Sequence, residues 1–149
     1  MPFKTRFVFS VSMDVRPDKE ALFNQIYDDE HIPALLKVPG VVSVTRTRQQ
    51  RASLSLGGVA VEVGKDEPGY TAFVELDSPD VLQGEAWAAA VEAGRWPAEV
   101  RPYTHNRHYM MHEVKMVWAP DERLPDLAFP AGSGPCGSRL RSRHQYGRS

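Results

Sequence analysis

Residues 28–40, Asp28-Asp29-Glu30-His31-Ile32-Pro33-Ala34-Leu35-Leu36-Lys37-Val38-Pro39-Gly40 (DDEHIPALLKVPG), decide how the first half of the chain is read. Leu22, Phe23 and Ile26 lead into this stretch at helical spacing, and Pro39-Gly40 is a stop signal. The element is therefore a helix that carries an acid cluster, a lone histidine and an internal proline before its true end. Pro33 has no N–H, so the Asp29 carbonyl one turn back loses its helical partner. A residue before proline is pushed away from helical geometry, which here applies to Ile32. The helix is expected to kink or break at 31–33 and to aim His31 inward.

Working outward, residues 5–14 (TRFVFSVSMD) alternate. Phe7, Phe9, Val11 and Met13 take one face, and Arg6, Val8, Ser10, Ser12 and Asp14 the other, which is the period of a strand. Pro17, with Asp18 and Glu20 behind it, opens the helix that follows. A second strand is expected over 41–50 (VVSVTRTRQQ). Gly57-Gly58, between two short β-rich runs, marks a hairpin or a strand extension with a turn. A third strand covers 70–77 (YTAFVELD). Ser78-Pro79-Asp80 then starts a helix through the alanine-rich EAWAAAVEA, with Gly94 at its end. The last strand is expected over 104–117.

The order β-α-β-(hairpin)-β-α-β predicts an α+β, ferredoxin-like βαββαβ domain with an inserted hairpin, its antiparallel sheet carrying two helices on one face. Apolar residues fall on both faces of strands one and three: Phe7, Phe9 and Val11 against Val8, and Val74 and Leu76 against Phe73. The face without helices is expected to pack on a second copy, making a homodimer through the sheet. The domain is placed at residues 1–118. Residues 119–149, rich in Pro, Gly, Ser and Arg and without apolar period, read as an extended arm and disordered tail.

The 149 residues carry a formal net charge of −1, which gives no reason to expect nucleic acid or an anionic membrane as partner. No apolar run is long enough to span a bilayer. The N-terminal apolar patch is broken by Ser10, Ser12 and Asp14 and reads as a strand rather than a signal peptide. Cys136 is the only cysteine, so no internal disulfide framework is available, and a cytoplasmic location is the simplest expectation.

The pattern Tyr27-x-x-Glu30-His31-Ile32-Pro33-x-Leu35-Leu36-x-x-Pro39-Gly40-Val41, followed by a strand with Arg46 and Arg48, resembles the first helix and second strand of the dimeric α+β barrel superfamily. It is most like EthD-like and uncharacterised small bacterial members. YTAFVELDSPDVL with AWAAAVEAGRW is similar to that superfamily's third strand and second helix, and VRPYTHNRHYM to its closing strand. The resemblance spans roughly residues 5–115. It implies a small-molecule site in a cleft between sheet and helices. The reaction stays open, because the superfamily includes cofactor-free cyclases, dehydratases and isomerases, quinol-type monooxygenases and haem-degrading enzymes.

The chemistry-bearing residues fit that cleft. A neutral His31 can take or give a proton near neutral pH. Tyr27, four residues earlier, shares its helical face and can help move the proton or polarise a carbonyl. His105 is the third catalytic candidate. Arg46, Phe73, Trp87 and His108 are substrate-binding candidates: Arg46 for an anion or carbonyl, His108 as polar lining, and Phe73 and Trp87, with Trp96, as an apolar wall. Asp29 or Glu30 is the candidate to orient His31. His108 and His112 lie roughly 13 Å apart on a strand, so no metal site is expected. There is no Gly-rich phosphate loop, nucleophile elbow or cysteine–histidine pair.

Three readings follow. The first is a cofactor-free isomerase, cyclase or dehydratase acting on a small apolar or aromatic carbonyl compound. The second is a non-catalytic dimeric ligand-binding or structural protein. The third is a haem- or quinol-type monooxygenase.

Overall fold

A computed structural model describes residues 3–118. The arm and tail expected over 119–149 lie outside the described residues.

Four strands form one antiparallel sheet: β1 (Phe7–Val15), β2 (Val41–Arg48), β5 (Tyr70–Leu76) and β6 (Thr104–Glu113), in the order β2-β5-β1-β6. This is the ferredoxin-like arrangement expected from the element order. β3 (Ala52–Leu56) and β4 (Val59–Val63) form a separate two-stranded hairpin. Its turn is Gly57-Gly58, with φ of 56° and 80°. Two consecutive positive φ values are what a tight hairpin turn demands, and glycine meets them without steric cost. The hairpin is thus an arm beside the sheet and does not extend it.

Register decides which side chains meet the helices. Phe9 lies opposite Val74, and Val11 opposite Ala72. The helix-facing side of the two central strands is therefore Phe9, Val11 and Met13 beside Ala72, Val74 and Leu76. Helix α1 (Glu20–Ile26) lays Phe23 and Ile26 on this surface, and both are fully buried, as are Val74, Leu76 and Val100. Each contributes roughly 1.5–3 kcal/mol of transfer free energy.

The opposite face carries Val8, Phe73 and Met110, as alternation requires. Around them stand the hydroxyls of Ser10, Ser12, Ser43, Thr45 and Thr71, brought into register by the strand pairing. Glu75 is buried on this face and ties it to the chain start. Its Oε2 accepts from the backbone N–H groups of Lys4 and Thr5 and from the Thr5 hydroxyl, while its Oε1 accepts from the Ser43 hydroxyl. Phe3 then packs on Phe73, ring centres 6.0 Å apart. The outer face is thus more polar than the alternation of apolar residues alone implied.

One helical expectation is narrowed and one is corrected. Of the kink or break expected at 31–33, the break does not occur. α1 runs into a single π-helical turn, Tyr27–His31, closed by the Ile32 N–H on the Tyr27 carbonyl, and continues as α2 (Ile32–Leu36). Ile32 keeps helical dihedrals, φ −61° and ψ −48°. The helix accommodates the missing proline N–H by widening one turn. The second helix is interrupted. Ser78 caps a 3-10 turn over Pro79–Gln83, accepting from the Asp80 N–H at 3.2 Å, and Gly84, in extended conformation, separates it from α3 (Glu85–Val91).

Candidate functional site

Between the helix-facing side of the sheet and the helices lies a pocket of about 400 Å³. Its sheet wall is Phe9, Val11, Met13 and Val74; its helical wall includes Leu35, Trp87 and Val91. Tyr27, His31 and Trp96 form one side as an aromatic set. The His31 ring stacks on Trp96, centres 4.4 Å apart and planes 18° apart, and meets Tyr27 edge-on at 5.1 Å. Tyr27 in turn meets Trp96 edge-on at 5.0 Å.

The backbone explains how these residues come together. Trp96–Val100 is a second π-helical turn, closed by the Arg101 N–H on the Trp96 carbonyl, and Pro102 follows directly. It repeats the arrangement of Tyr27–His31 before Ile32-Pro33. In each half, a widened turn precedes an X-Pro pair, and the first residues of the two turns, Tyr27 and Trp96, are in contact.

The acid cluster fixes the first turn from outside. Asp28 and Asn24 both hold Arg46 on β2; Arg46 Nη2 donates to Asn24 Oδ1 at 2.7 Å. Glu30 accepts from the Arg95 N–H and from Arg95 Nε at 2.7 Å, which pins the turn to the loop before Trp96. Gly94 makes that approach feasible: its φ is +67°, and a Cβ there would meet Glu30 Oε1 at 2.8 Å. Neither Asp29 nor Glu30 hydrogen-bonds His31 among the described residues, so the expectation that one of them orients the imidazole is corrected: its ring packs on Trp96 and Tyr27.

His31 is 7 % exposed, and its Nδ1 is buried with no hydrogen-bond partner among the described residues. Burial, reinforced by the positive charge of Arg101, lowers its pKa from 6.5 to about 4. The imidazole is thus neutral at pH 7. Burial also pushes the Tyr27 phenol up to about 12, against the opposing pull of Arg46. The Arg46 guanidinium lies over the Tyr27 ring, 4.4 Å from its centre. Both candidate proton carriers are held in their neutral forms.

Of the sequence candidates, the structure brings His31, Tyr27 and Trp87 to this pocket. Arg46 stands behind Tyr27 and does not line it. Phe73 is on the outer sheet face against Phe3. His108 is also on that face, opposite Ser12, and hydrogen-bonds Asn106 at 3.0 Å. His105 is exposed and lies opposite Asp14, beyond an irregularity in the β1–β6 pairing. Strict alternation over 103–109 would set His105 on one face with Arg107 and Tyr109, but Asn106 takes φ 50°, which breaks that alternation. Arg101, Thr104, Arg107 and Tyr109 also line the pocket and are not among the sequence candidates for it. Alternation placed Arg107 and Tyr109 together on one face of the last strand; nothing local marked Arg101, which is delivered by the second widened turn. No group of three or more His, Cys, Asp or Glu side chains suited to a metal ion occurs among the described residues. No helix among them is long and apolar enough to cross a membrane.

No family model matches the chain, and no curated protein does. Solved structures do. The haem-degrader MhuD from Mycobacterium tuberculosis, with two haems bound in its active site, is 17% identical, with a TM-score of 0.51 over 76% of this chain and 99% of its own. A point variant of MhuD with two manganese protoporphyrin IX molecules per active site is 16% identical, with a TM-score of 0.53 over 76% and 98%. An EthD family protein from Bacillus halodurans is 15% identical, with a TM-score of 0.47 over 72% and 98%. The chain therefore shares its fold with the MhuD structures, and the ferredoxin-like arrangement expected from its sequence is the one observed.

Proposed function

We propose that this protein is a small-molecule enzyme of the cofactor-free isomerase, cyclase or dehydratase kind, acting on a small apolar or aromatic carbonyl compound in the pocket beside His31. The observation that carries this is a neutral imidazole, stacked on Trp96 and edge-on to Tyr27, on the wall of a mostly apolar pocket. In the empty pocket an imidazolium is costly, because burial and Arg101 both oppose it. That cost falls as negative charge develops on a substrate carbonyl oxygen nearby. Proton transfer from the carbon beside the carbonyl to His31 is then favoured in the transition state more than in the ground state. The Tyr27 phenol, which resists ionisation, is suited to donate a hydrogen bond to that oxygen. His31 returns the proton to a different carbon, or to a departing hydroxyl, to complete the turnover.

The test is proton exchange. The protein is incubated in D₂O with a panel of aromatic ketones and β-diketones, and loss of the C–H signal beside the carbonyl is followed by NMR. Exchange by the wild type that disappears in His31→Ala is expected. Compounds that bind without any exchange would replace the enzyme reading with that of a ligand-binding protein.

One observation favours a haem-binding reading as the competitor. An imidazole held neutral by burial is the form that ligates iron, and His31 is the residue that would hold it. Haem would supply oxygen chemistry at that wall. The pocket volume falls at the small end of the range for ligand sites. Titration with haemin decides: a shifted Soret band lost in His31→Ala would displace the proton-transfer reading.

We also propose that a second copy covers the outer sheet face. Phe73 and Met110 on that face support this, as does the apolar side of the hairpin arm, where Leu54, Leu56, Val59, Val61 and Val63 are all exposed.

A further inference from the structure

The charge around the pocket is one-sided. Among its lining residues the only ones with a full charge are Arg101 and Arg107; no carboxylate lines it. The two arginines differ in what holds them. Arg101 Nη1 donates to both oxygens of Glu92, at 2.8 and 3.0 Å, and its Nη2 donates to the Val91 carbonyl at 2.6 Å. Its guanidinium is committed to closing the end of α3. Arg107, on β6 beside Tyr109, has no hydrogen bond, ion pair or ring contact among the described residues.

An exposed guanidinium with no partner among the described residues, at the edge of an apolar, aromatic-walled pocket, can meet an anion whose apolar part lies inside. Its planar fork of donors matches a carboxylate with two parallel hydrogen bonds. A nearby wall of Phe9, Trp87 and Tyr109 offers planar apolar surface; Phe9 and Tyr109 are stacked at 6.4 Å and Trp87 meets Phe9 edge-on at 5.9 Å. His31 and Tyr27 add two uncharged hydrogen-bonding groups that do not compete for the anion.

We infer that Arg107 is a specificity-determining residue of this pocket, holding the carboxylate of a planar aromatic acid whose ring lies among Phe9, Trp87 and Tyr109. This deepens the proposed function by naming the substrate class as aromatic carboxylates, and it rests on the reading that the pocket binds a small molecule.

The experiment compares two probes of one shape, 2-naphthoate and 2-naphthamide, by titration calorimetry on the full chain at pH 7.5. Naphthoate is expected to bind at least ten times more tightly. Arg107→Met, which keeps much of the stem and removes the charge, should erase that preference by weakening naphthoate far more than naphthamide. Arg107→Lys keeps the charge but not the fork and should fall between. Arg107 is exposed, so neither variant should alter the melting temperature; that is measured alongside. Equal binding of the two probes by the wild type, or a preference for naphthoate that survives in Arg107→Met, overturns the inference and leaves the pocket reading standing. Binding of neither probe overturns both.

Discussion

The depressed pKa of His31 makes the stability of this protein depend on pH in a way that can be assigned to one residue. A folded-state pKa of about 4 against 6.5 when unfolded means that the unfolded chain binds the proton more readily. Stability from this residue is therefore complete above pH 6.5, falls as pH drops through the window down to 4, and levels off below it. Linkage over that window gives a loss of about 2 kcal/mol between pH 8 and pH 5, and about 3 kcal/mol once both states are protonated. The perturbation is His31→Phe, which keeps a ring against Trp96 and removes the titrating group. Urea unfolding of wild type and variant at pH 8, 6.5 and 5 isolates the term as a difference of differences. Glu30 and Glu113, whose carboxyls are held below their ordinary range by Arg95 and by Lys115 and Arg6, contribute equally to both proteins and cancel. The wild type should lose about 2 kcal/mol more than the variant by pH 5. Parallel curves for the two proteins would refute the claim that His31 is buried neutral, and with it the coupling of proton uptake to charge on a ligand.

Trp96→Ala removes the ring that Tyr27, His31 and Phe23 pack on, and should cost about 3–5 kcal/mol in urea unfolding, with loss of ligand binding. Tyr27→Phe keeps the packing; its hydroxyl makes no hydrogen bond among the described residues, so stability should change by less than about 1 kcal/mol while carbonyl proton exchange slows by about 10²-fold or more. Met110→Glu places a charge on the outer sheet face, where Met110 is 52 % exposed; light scattering should give a dimer for the wild type and a monomer for the variant, and a monomeric wild type would overturn the proposed dimer.

The fold was legible because β1 announces itself by alternation, the other sheet strands by β-rich runs, and the two main helical regions by the residues that open and close them. Pro17, Ser78-Pro79 and the Gly57-Gly58 pair all do in the structure what their local chemistry requires. The site was half legible. Tyr27 and His31 share a helical face, so a local rule finds them, and Trp87 follows from aromatic content. Where local rules failed, a long-range contact had intervened. His105 left the expected face because Asn106 takes a left-handed conformation, with its side chain donating to Asp14 Oδ2, 92 positions away. Glu30 turned from His31 because Arg95, 65 residues on, offers it a full charge and a backbone N–H. Phe73 obeys its alternation, which puts it on the sheet face away from the pocket.

The question posed by the proline inside the first helix has a structural answer that the second half of the chain repeats. A proline two places past His31 and one two places past Val100 each remove the N–H that would close an ordinary helical turn. In both places the preceding N–H reaches five residues back instead, to Tyr27 and to Trp96. Widening a turn lets the residues within it and just after it point where an α-helical register would not send them. In the first half this delivers His31 to the pocket, and in the second it delivers Arg101, whose charge then helps to keep His31 neutral. The two widened turns touch through the very residues that open them, so the pocket's aromatic wall and its electrostatics are set by one backbone device used twice. Acids that look like a mere solvated helix face are what clamp the first of these turns, Asp28 to Arg46 on β2 and Glu30 to Arg95 ahead of the second. The acid cluster, the histidine and the breaker belong together because the breaker opens the turn, the acids hold it open, and the histidine is what the opening places in the cleft.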